Sequence, residues 1–143
     1  MNEVEIFTDG ACRGNPGKGG WGAVIREKGV ERSIYGSDEN TTNNIMELTA
    51  AIKALECIPL NSKVVLTTDS KYVMQGITEW IKNWKTRGWL TSSKKPVLNK
   101  NLWKRLDELS SSHSIAWKWV KGHSGHRENE IADQLANKGI DEI

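Results

Sequence analysis

Alternating and continuous apolar runs along the chain predict five β-strands. Three come early and close together, at 4–8, about 20–27 and about 31–37, with a short turn between the second and third. Two more follow at 64–68 and 114–120, where an isoleucine and two tryptophans occupy alternate positions. The first three strands are expected to form an antiparallel meander.

Apolar residues at helical spacing predict the helices between and after these strands. One helix covers about 44–57, with Asn43 or Asn44 as its N-cap, and a second opens directly after the fourth strand. Shorter helical patterns cover 102–109 and, near the end of the chain, 128–138. This order of elements predicts an α/β fold with a mixed sheet and helices on its faces.

Length, cysteine use and hydropathy narrow the class of protein. The 143 residues suit one domain, and the two cysteines, Cys12 and Cys57, match no metal-ligand spacing. They are expected to be reduced thiols in a cytoplasmic protein. The sequence has neither an apolar N-terminal signal segment nor an apolar run of about 18 residues, so we expect no secretion and no membrane partner.

The net charge of +2 conceals a basic, tryptophan-rich segment. Residues 79–105 contain eight lysines or arginines and one acid, and four of the seven tryptophans lie among them. A charge run by itself is most often a solvated loop, but basic residues interleaved with aromatic rings are typical of nucleic-acid surfaces. The segment therefore predicts a site that holds a polyanion.

Four acidic residues at separate places carry the main indication of chemistry: Asp9, Glu47, Asp69 and Asp133. Asp9 and Asp69 directly follow the first and fourth predicted strands, and the carboxyl ends of parallel neighbours meet at one edge of a sheet. Each also has a structural explanation, because Asp-Gly is a common turn and Asp-Ser commonly caps a helix. A carboxylate cluster at such an edge would suit Mg²⁺, with water and a substrate phosphate completing the coordination.

Glu47 and Asp133 both lie within predicted helices. Glu47 projects among apolar residues such as Ala51 and Leu55, and a carboxylate that faces the core is costly unless a metal ion or an arginine pairs with it. Asp133 lies one turn after Asn129 on the same helical face, although an exposed helical acid is the commoner situation. The pattern favours a paired role for Glu47 and leaves both explanations open for Asp133.

Two glycine-containing loops carry further candidates. The loop at 121–126 has two glycines and two histidines, and a histidine such as His123 beside carboxylates can carry protons near neutral pH. The cysteines and histidines match no usual ligand spacing of a zinc site.

The loop at 10–20 is followed by a predicted strand, whereas a dinucleotide-binding fingerprint needs a helix at that point. Its glycines instead allow a sugar-phosphate chain to approach the backbone, with Asn15 as donor and acceptor.

Five motifs, in order and spread over nearly the whole chain, resemble bacterial type 1 ribonuclease H. They are IFTDGACRGNPG at 6–17, TNNIMEL at 42–48, TDS at 68–70, WVKGH at 119–123 and ENEIAD at 128–133. The segment at about 80–100 is similar to the basic protrusion of that family. The resemblance implies a ribonuclease H-like fold in a single domain over 1–143. Its five-stranded mixed sheet would have three antiparallel and then two parallel strands, with helices on both faces.

The resemblance also implies a reaction, namely endonucleolytic hydrolysis of the RNA strand of RNA/DNA hybrids to 5′-phosphate and 3′-hydroxyl ends. Asp9, Glu47, Asp69 and Asp133 would be ligands of two Mg²⁺ ions, with Asp9 bridging both and Mn²⁺ as an alternative metal. His123 matches a mobile histidine of the family that moves protons or helps product to leave. Its loss is expected to slow turnover without abolishing it.

Substrate contacts implied by the resemblance surround these acids. The residues near the RNA sugar row would be Cys12, Asn15, Asn43, Glu47 and Lys71. Thr42 and Asn15 would also hold a DNA phosphate. The other implied contacts are Trp80 under the DNA strand, Lys82, Trp84, Lys85 and Arg87 of the protrusion, and Asn129 of the last helix. The expected partner is an RNA/DNA hybrid and the expected state a monomer. The alternative left open is a non-catalytic module of the same fold that binds hybrids or duplexes.

Overall fold

The computed structural model describes residues 2–122 and 124–143, and within them five strands form one mixed sheet in the spatial order β3-β2-β1-β4-β5. The strands are β1 Glu3–Arg13, β2 Gly17–Glu27, β3 Val30–Thr41, β4 Lys63–Thr68 and β5 Ser114–Trp119. Strands β1, β2 and β3 pair antiparallel, whereas β4 is parallel to β1 and β5 is parallel to β4. The predicted sheet of three antiparallel and two parallel strands is confirmed.

The glycine-rich stretch at 10–20, predicted to be a loop, is mostly strand. Pairing between β1 and β2 continues as far as Arg13 opposite Lys18, so the connection itself is only a tight turn. The hydrogen bonds between paired strands are made by backbone amide groups and do not require apolar side chains. The glycines therefore do not interrupt the pairing. The hydrophobic pattern identified these strands but not their full length.

The helices occupy the predicted places. They are α1 Asn43–Glu56, α2 Lys71–Gln75, a π-helical turn at Gly76–Trp80, α3 Ile81–Thr86, α4 Lys100–Ser111 and α5 Arg127–Asp141. The prediction of Asn43 or Asn44 as the first N-cap was wrong. Thr42 has the extended backbone of a cap, with φ −128° and ψ 162°, and its Oγ1 accepts a hydrogen bond from the N–H of Ile45. Among the described helices, none has the length and apolar character that crossing a bilayer requires.

Helices α1 and α5 cover opposite faces of the sheet. Ala23 and Ile25 of β2 pack with Leu48 of α1 in the main hydrophobic core. Gly22, the residue directly before Ala23 in the same strand, faces α5, where a Cβ would lie 2.6 Å from the carbonyl oxygen of Ala132. Because successive side chains of a strand point to opposite faces, the two helices must lie on different sides. The prediction of helices on both faces is confirmed.

Candidate active site

The parallel pairing of β1 with β4 determines where the first two acids meet. Thr8 of β1 is opposite Thr68 of β4, so the next residues, Asp9 and Asp69, lie side by side where the pairing of these two strands stops, although β1 itself continues to Arg13. Strand β5 continues the parallel set, with Trp119 opposite Thr68. The prediction that the two strands are parallel neighbours, with their acids at one edge, is confirmed.

Helix α1 brings Glu47 to the same place. Gly10 makes this possible, because a Cβ there would lie 2.5 Å from the backbone nitrogen of Glu47. Glu47 is only 5% exposed, as its position among apolar residues predicted. Asp9, Glu47 and Asp69 each offer one carboxylate oxygen, and the three oxygens lie within 4.8 Å of one another.

Burial and mutual repulsion disfavour negative charge in this cluster. Burial, the charge and hydrogen bond of Asp69, and the charge of Asp133 raise the pKa of Asp9 to about 9. The N–H of Gly10 donates to Asp9 Oδ1 at 2.8 Å and partly opposes this rise. Burial, with the charges of Asp9 and Asp69, also raises the pKa of Glu47 well above its ordinary value. The cluster therefore favours either bound protons or a bound cation.

The donor atoms fit a hard divalent cation. Glu47 Oε1 and Asp69 Oδ1 are buried and find no hydrogen-bond partner within residues 2–122 and 124–143. A buried polar atom without a partner is costly, so these two oxygens are available as ligands. A site built only from carboxylate oxygens suits Mg²⁺ or Mn²⁺ better than zinc or copper.

Asp133 lies beside the cluster rather than inside it. In the described part of the chain, the close group of acids contains three carboxylates, and Asp133 of α5 is not among them. Its charge nevertheless contributes to the raised pKa of Asp9. Asn129, one turn earlier, is 3% exposed, and its side-chain nitrogen has no hydrogen-bond partner among the described residues. Helix α5 therefore brings one carboxylate close enough to act on Asp9, and a buried amide lies one turn earlier on the same helix.

Three predicted contacts for the RNA strand, Cys12, Asn15 and Asn43, lie together with Thr42, the predicted DNA-phosphate contact, where the β1–β2 turn meets the start of α1. Asn15 Oδ1 accepts a hydrogen bond from the N–H of Asn43 at 2.9 Å, which ties the turn to the helix. The Thr42 hydroxyl caps the same helix, and Cys12 Sγ lies 3.4 Å from the carbonyl oxygen of Thr41. Thr42 and Asn43 lie just before Glu47 in the chain, and Cys12 and Asn15 contact the same segment in space.

Lys71 and Trp119 form a further pair beside Asp69. Lys71 is exposed, and its Nζ lies 5.3 Å from the centroid of the Trp119 ring. The indole Nε1 of Trp119 donates a hydrogen bond to the backbone carbonyl of Asp69 at 3.0 Å. Sequence reasoning selected Lys71 but not Trp119, because an indole at the end of a strand has no pattern that distinguishes it from a core residue.

The tryptophans of the basic segment pack mainly with one another. The ring centroids of Trp80 and Trp84 are 5.8 Å apart, and both contact the ring of the fully buried Trp103. The basic residues lie outside this aromatic cluster: Lys82 and Arg87 are exposed, and Lys85 forms an ion pair with Asp107 at 3.3 Å. The rings thus hold the segment on the core and present its charges to solvent.

Contacts of Trp80 and Trp84 with nucleic acid stay a prediction. The role of His123 also stays a prediction, because this residue lies outside the described residues.

Comparison with known proteins identifies the family. The RNase H family model matches residues 1–141. The chain belongs to the ribonuclease H family. Ribonuclease H of Halorhodospira halophila is 64% identical over 98% of this chain and 94% of its own length. Ribonuclease H of Pseudomonas fluorescens is 58% identical over the whole chain and 94% of its own length. The resemblance to the bacterial type 1 enzymes is confirmed, and the chain is an enzyme of this family.

A solved structure agrees with this assignment. LC9-RNase H1, described as a type 1 RNase H with the type 2 active-site motif, superposes with a TM-score of 0.90 at 33% identity. The match covers 99% of this chain and 74% of that one. The fold predicted from the motifs of this ribonuclease H is therefore confirmed.

Proposed function

We propose that this ribonuclease H is an endonuclease that hydrolyses the RNA strand of RNA/DNA hybrids, leaving 5′-phosphate and 3′-hydroxyl ends. Two Mg²⁺ ions would be held by Asp9, Glu47, Asp69 and Asp133. The observation that carries the proposal is the close group of three carboxylates where the pairing of β1 with β4 stops, including the buried Glu47. Family membership supports the ribonuclease activity.

The acids have distinct positions that suit distinct roles. The charges of Asp69 and Asp133 both raise the pKa of Asp9, and the charge of Asp9 raises that of Glu47. Asp9 is thus the acid that interacts with all the others, which supports its proposed role as the shared ligand of both ions. The chemistry that two bound divalent ions supply is activation of a water on one side of the scissile phosphate and stabilisation of the leaving 3′-oxygen on the other.

Selection of the RNA strand requires groups that can recognise a 2′-hydroxyl. The hydrogen bond between Asn43 and Asn15 holds two residues with amide side chains together at the start of the helix that carries Glu47, which supports a role for them along the sugar row. Thr42 at the same helix start is proposed to hold a DNA phosphate. The exposed Lys82 and Arg87 would bind phosphates without reading sequence, so binding is expected to weaken steeply with salt. On the resemblance alone, His123 is proposed to move protons or to help product release.

A non-catalytic binding module of the same fold is the rival proposal. It offers no reason for the acid cluster, because a surface that only binds phosphates gains nothing from buried negative charge next to them. The raised pKa of Asp9 shows how unfavourable that charge is without a cation. We also expect a monomer of the cytoplasm that needs no protein partner, as the sequence predicted.

The proposal is tested with one end-labelled sequence prepared as RNA/DNA, RNA/RNA and DNA/DNA duplexes, each incubated with Mg²⁺ or with EDTA. We expect cutting only of the RNA in the hybrid and only with Mg²⁺, and products with 5′-phosphates should be substrates for a 5′-phosphate-dependent exonuclease. Asp69→Asn should lose nearly all cleavage. The control is Asp38→Asn, which removes an exposed charge from β3 and should cleave normally. Salt-sensitive hybrid binding without any cutting would favour the binding module instead.

A further inference from the structure

Trp119, the last residue of β5, contacts two groups of the active site at once. Its indole N–H donates to the backbone carbonyl of Asp69 at 3.0 Å, and its ring face lies under the ammonium group of Lys71. The side chain is 40% exposed, whereas Ile115 and Trp117, at alternate positions of the same strand, pack against the hydrophobic core. Its exposure and polar contact distinguish Trp119 from these core residues.

Asp69 occupies a single-residue link between a strand and a helix. Strand β4 ends at Thr68, whose carbonyl accepts a hydrogen bond from the N–H of Val120, and Ser70 already caps α2. The Asp69 carbonyl belongs to the peptide unit that joins Asp69 to the cap residue Ser70. Because a peptide unit is planar, a hydrogen bond to its oxygen restricts the neighbouring backbone angles and hence the direction of the Asp69 side chain. Trp119 supplies that bond.

The second contact concerns a cation next to an anionic site. The Nζ of Lys71 lies 5.3 Å from the ring centroid, within the distance at which an ammonium group is attracted to an indole face. Lys71 follows Asp69 by two positions, so without this attraction its long side chain could turn onto the acid cluster. There it would pair with the carboxylates and compete with a metal ion. The ring keeps the ammonium at the rim of the site.

We propose that Trp119 is a positioning residue of the active site, which orients Asp69 through its indole N–H and holds Lys71 away from the acids through its ring. The inference rests on the proposed function, in which Asp69 binds metal and Lys71 faces the substrate. It extends the catalytic apparatus to a side chain that touches neither metal nor reacting atoms.

The first test separates the two contacts by the choice of substitution. Trp119→Phe removes the indole N–H and retains an aromatic face for Lys71. Mn²⁺ binding to the protein without substrate, followed by the EPR signal of the free ion, should weaken by about threefold to tenfold, the range covered by one net hydrogen bond. In cleavage assays the Mg²⁺ concentration for half-maximal rate should rise similarly, while KM for the hybrid stays within about twofold.

The second test asks whether Lys71 competes with the metal. Trp119→Leu removes both contacts, so Mn²⁺ binding should be weaker than in Trp119→Phe and KM for the hybrid should rise. Adding Lys71→Met to Trp119→Leu should restore Mn²⁺ binding to the Trp119→Phe level, because the competing cation is gone. A residue that only stabilised the fold would show no such rescue.

The matched control is Trp117→Phe, the same chemical change at an alternate position of β5 whose ring packs against the core. It should bind Mn²⁺ like the wild type even if Tm falls. The inference is overturned if Trp119→Phe binds Mn²⁺ as tightly as the wild type, or if Trp117→Phe weakens binding equally. Because Mn²⁺ binding is measured without substrate, the inference about Asp69 can hold even if the wild-type protein cuts no hybrid, which would reject only the proposed function.

Discussion

Replacing Asp9 by asparagine should stabilise the metal-free protein and abolish cleavage. Asparagine has nearly the shape of aspartate, and its Oδ1 can still accept the hydrogen bond from the Gly10 N–H. The change therefore removes charge while keeping local structure. The expected gain in stability arises because the neutral amide avoids the desolvation and repulsion of a charged carboxylate, which raise the pKa of Asp9 from 3.8 to about 9.

The sign and size of the gain follow from proton linkage. Between these two pKa values the folded protein binds a proton that the unfolded chain does not, so stability is highest at low pH and is lost as the pH rises. At one pKa unit per 1.4 kcal/mol, the span from 3.8 to neutral pH corresponds to a loss on the order of 4 kcal/mol. Asp9→Asn, which carries no charge in either state, should recover most of this.

Urea unfolding in EDTA at about pH 5 and about pH 8 measures the effect directly. The wild type should lose stability between the two conditions, and Asp9→Asn should lose less, because the raised pKa of Asp9 is gone while that of the buried Glu47 remains. Asp38→Asn is the matched control, because the Asp38 carboxylate also accepts a backbone hydrogen bond, from the Asn40 N–H at 3.1 Å, but is exposed. Added Mg²⁺ should stabilise the wild type and the control more than Asp9→Asn.

The reasoning fails if Asp9→Asn is less stable than the wild type in EDTA at about pH 8, or if its stability falls with pH as steeply as that of the wild type. Either result would mean that bringing the acids together does not destabilise the metal-free protein. The same gain in Asp38→Asn would mean that net charge, rather than burial, is responsible.

Three further predictions concern other parts of the molecule. Gly122→Ala would place a Cβ 2.9 Å from Asp69 Oδ2, so kcat should fall by about tenfold to a hundredfold with little change in Tm, and an unchanged kcat would contradict this contact. Burial lowers the pKa of His113, whose neutral Nδ1 accepts from the Ser62 N–H. The free energy of unfolding should therefore fall as the pH drops below about 6.5, and it should fall less in His113→Asn. Urea unfolding at two pH values measures this difference. Replacing Lys82 and Arg87 together by alanine should raise KM far more than it lowers kcat, and an equal KM at moderate salt would reject their role.

Local chemistry was sufficient to select the acids. Glu47 could be recognised because helical periodicity does not depend on the rest of the fold, and a charge on the apolar arc of a helix needs a partner wherever that helix packs. Asp9 and Asp69 could be recognised because each comes at the end of a short apolar run that predicts a strand. The chemistry of the site was therefore apparent before any tertiary contact was known.

Other features depended on contacts between distant parts of the chain. Both Asp69 and Ser70 suit an N-cap, and only the structure shows that Ser70 takes this role and leaves the Asp69 carboxylate available. Helix α1 begins after Thr42 because β3 stays paired with β2 up to Thr41. A local pattern cannot decide between adjacent residues with similar preferences.

What the sequence by itself determined is the set of strands and helices, the family, and the three acids that the fold brings together, since each is carried by side-chain identity and short-range spacing. What the tertiary structure alone decided is which groups meet: the register that places Asp9 beside Asp69, and the indole of Trp119 on the Asp69 carbonyl, fifty positions away. A backbone carbonyl is the same in every residue, so no sequence pattern can mark the one that a distant side chain will bind. Those contacts exist only once the parallel strands have paired.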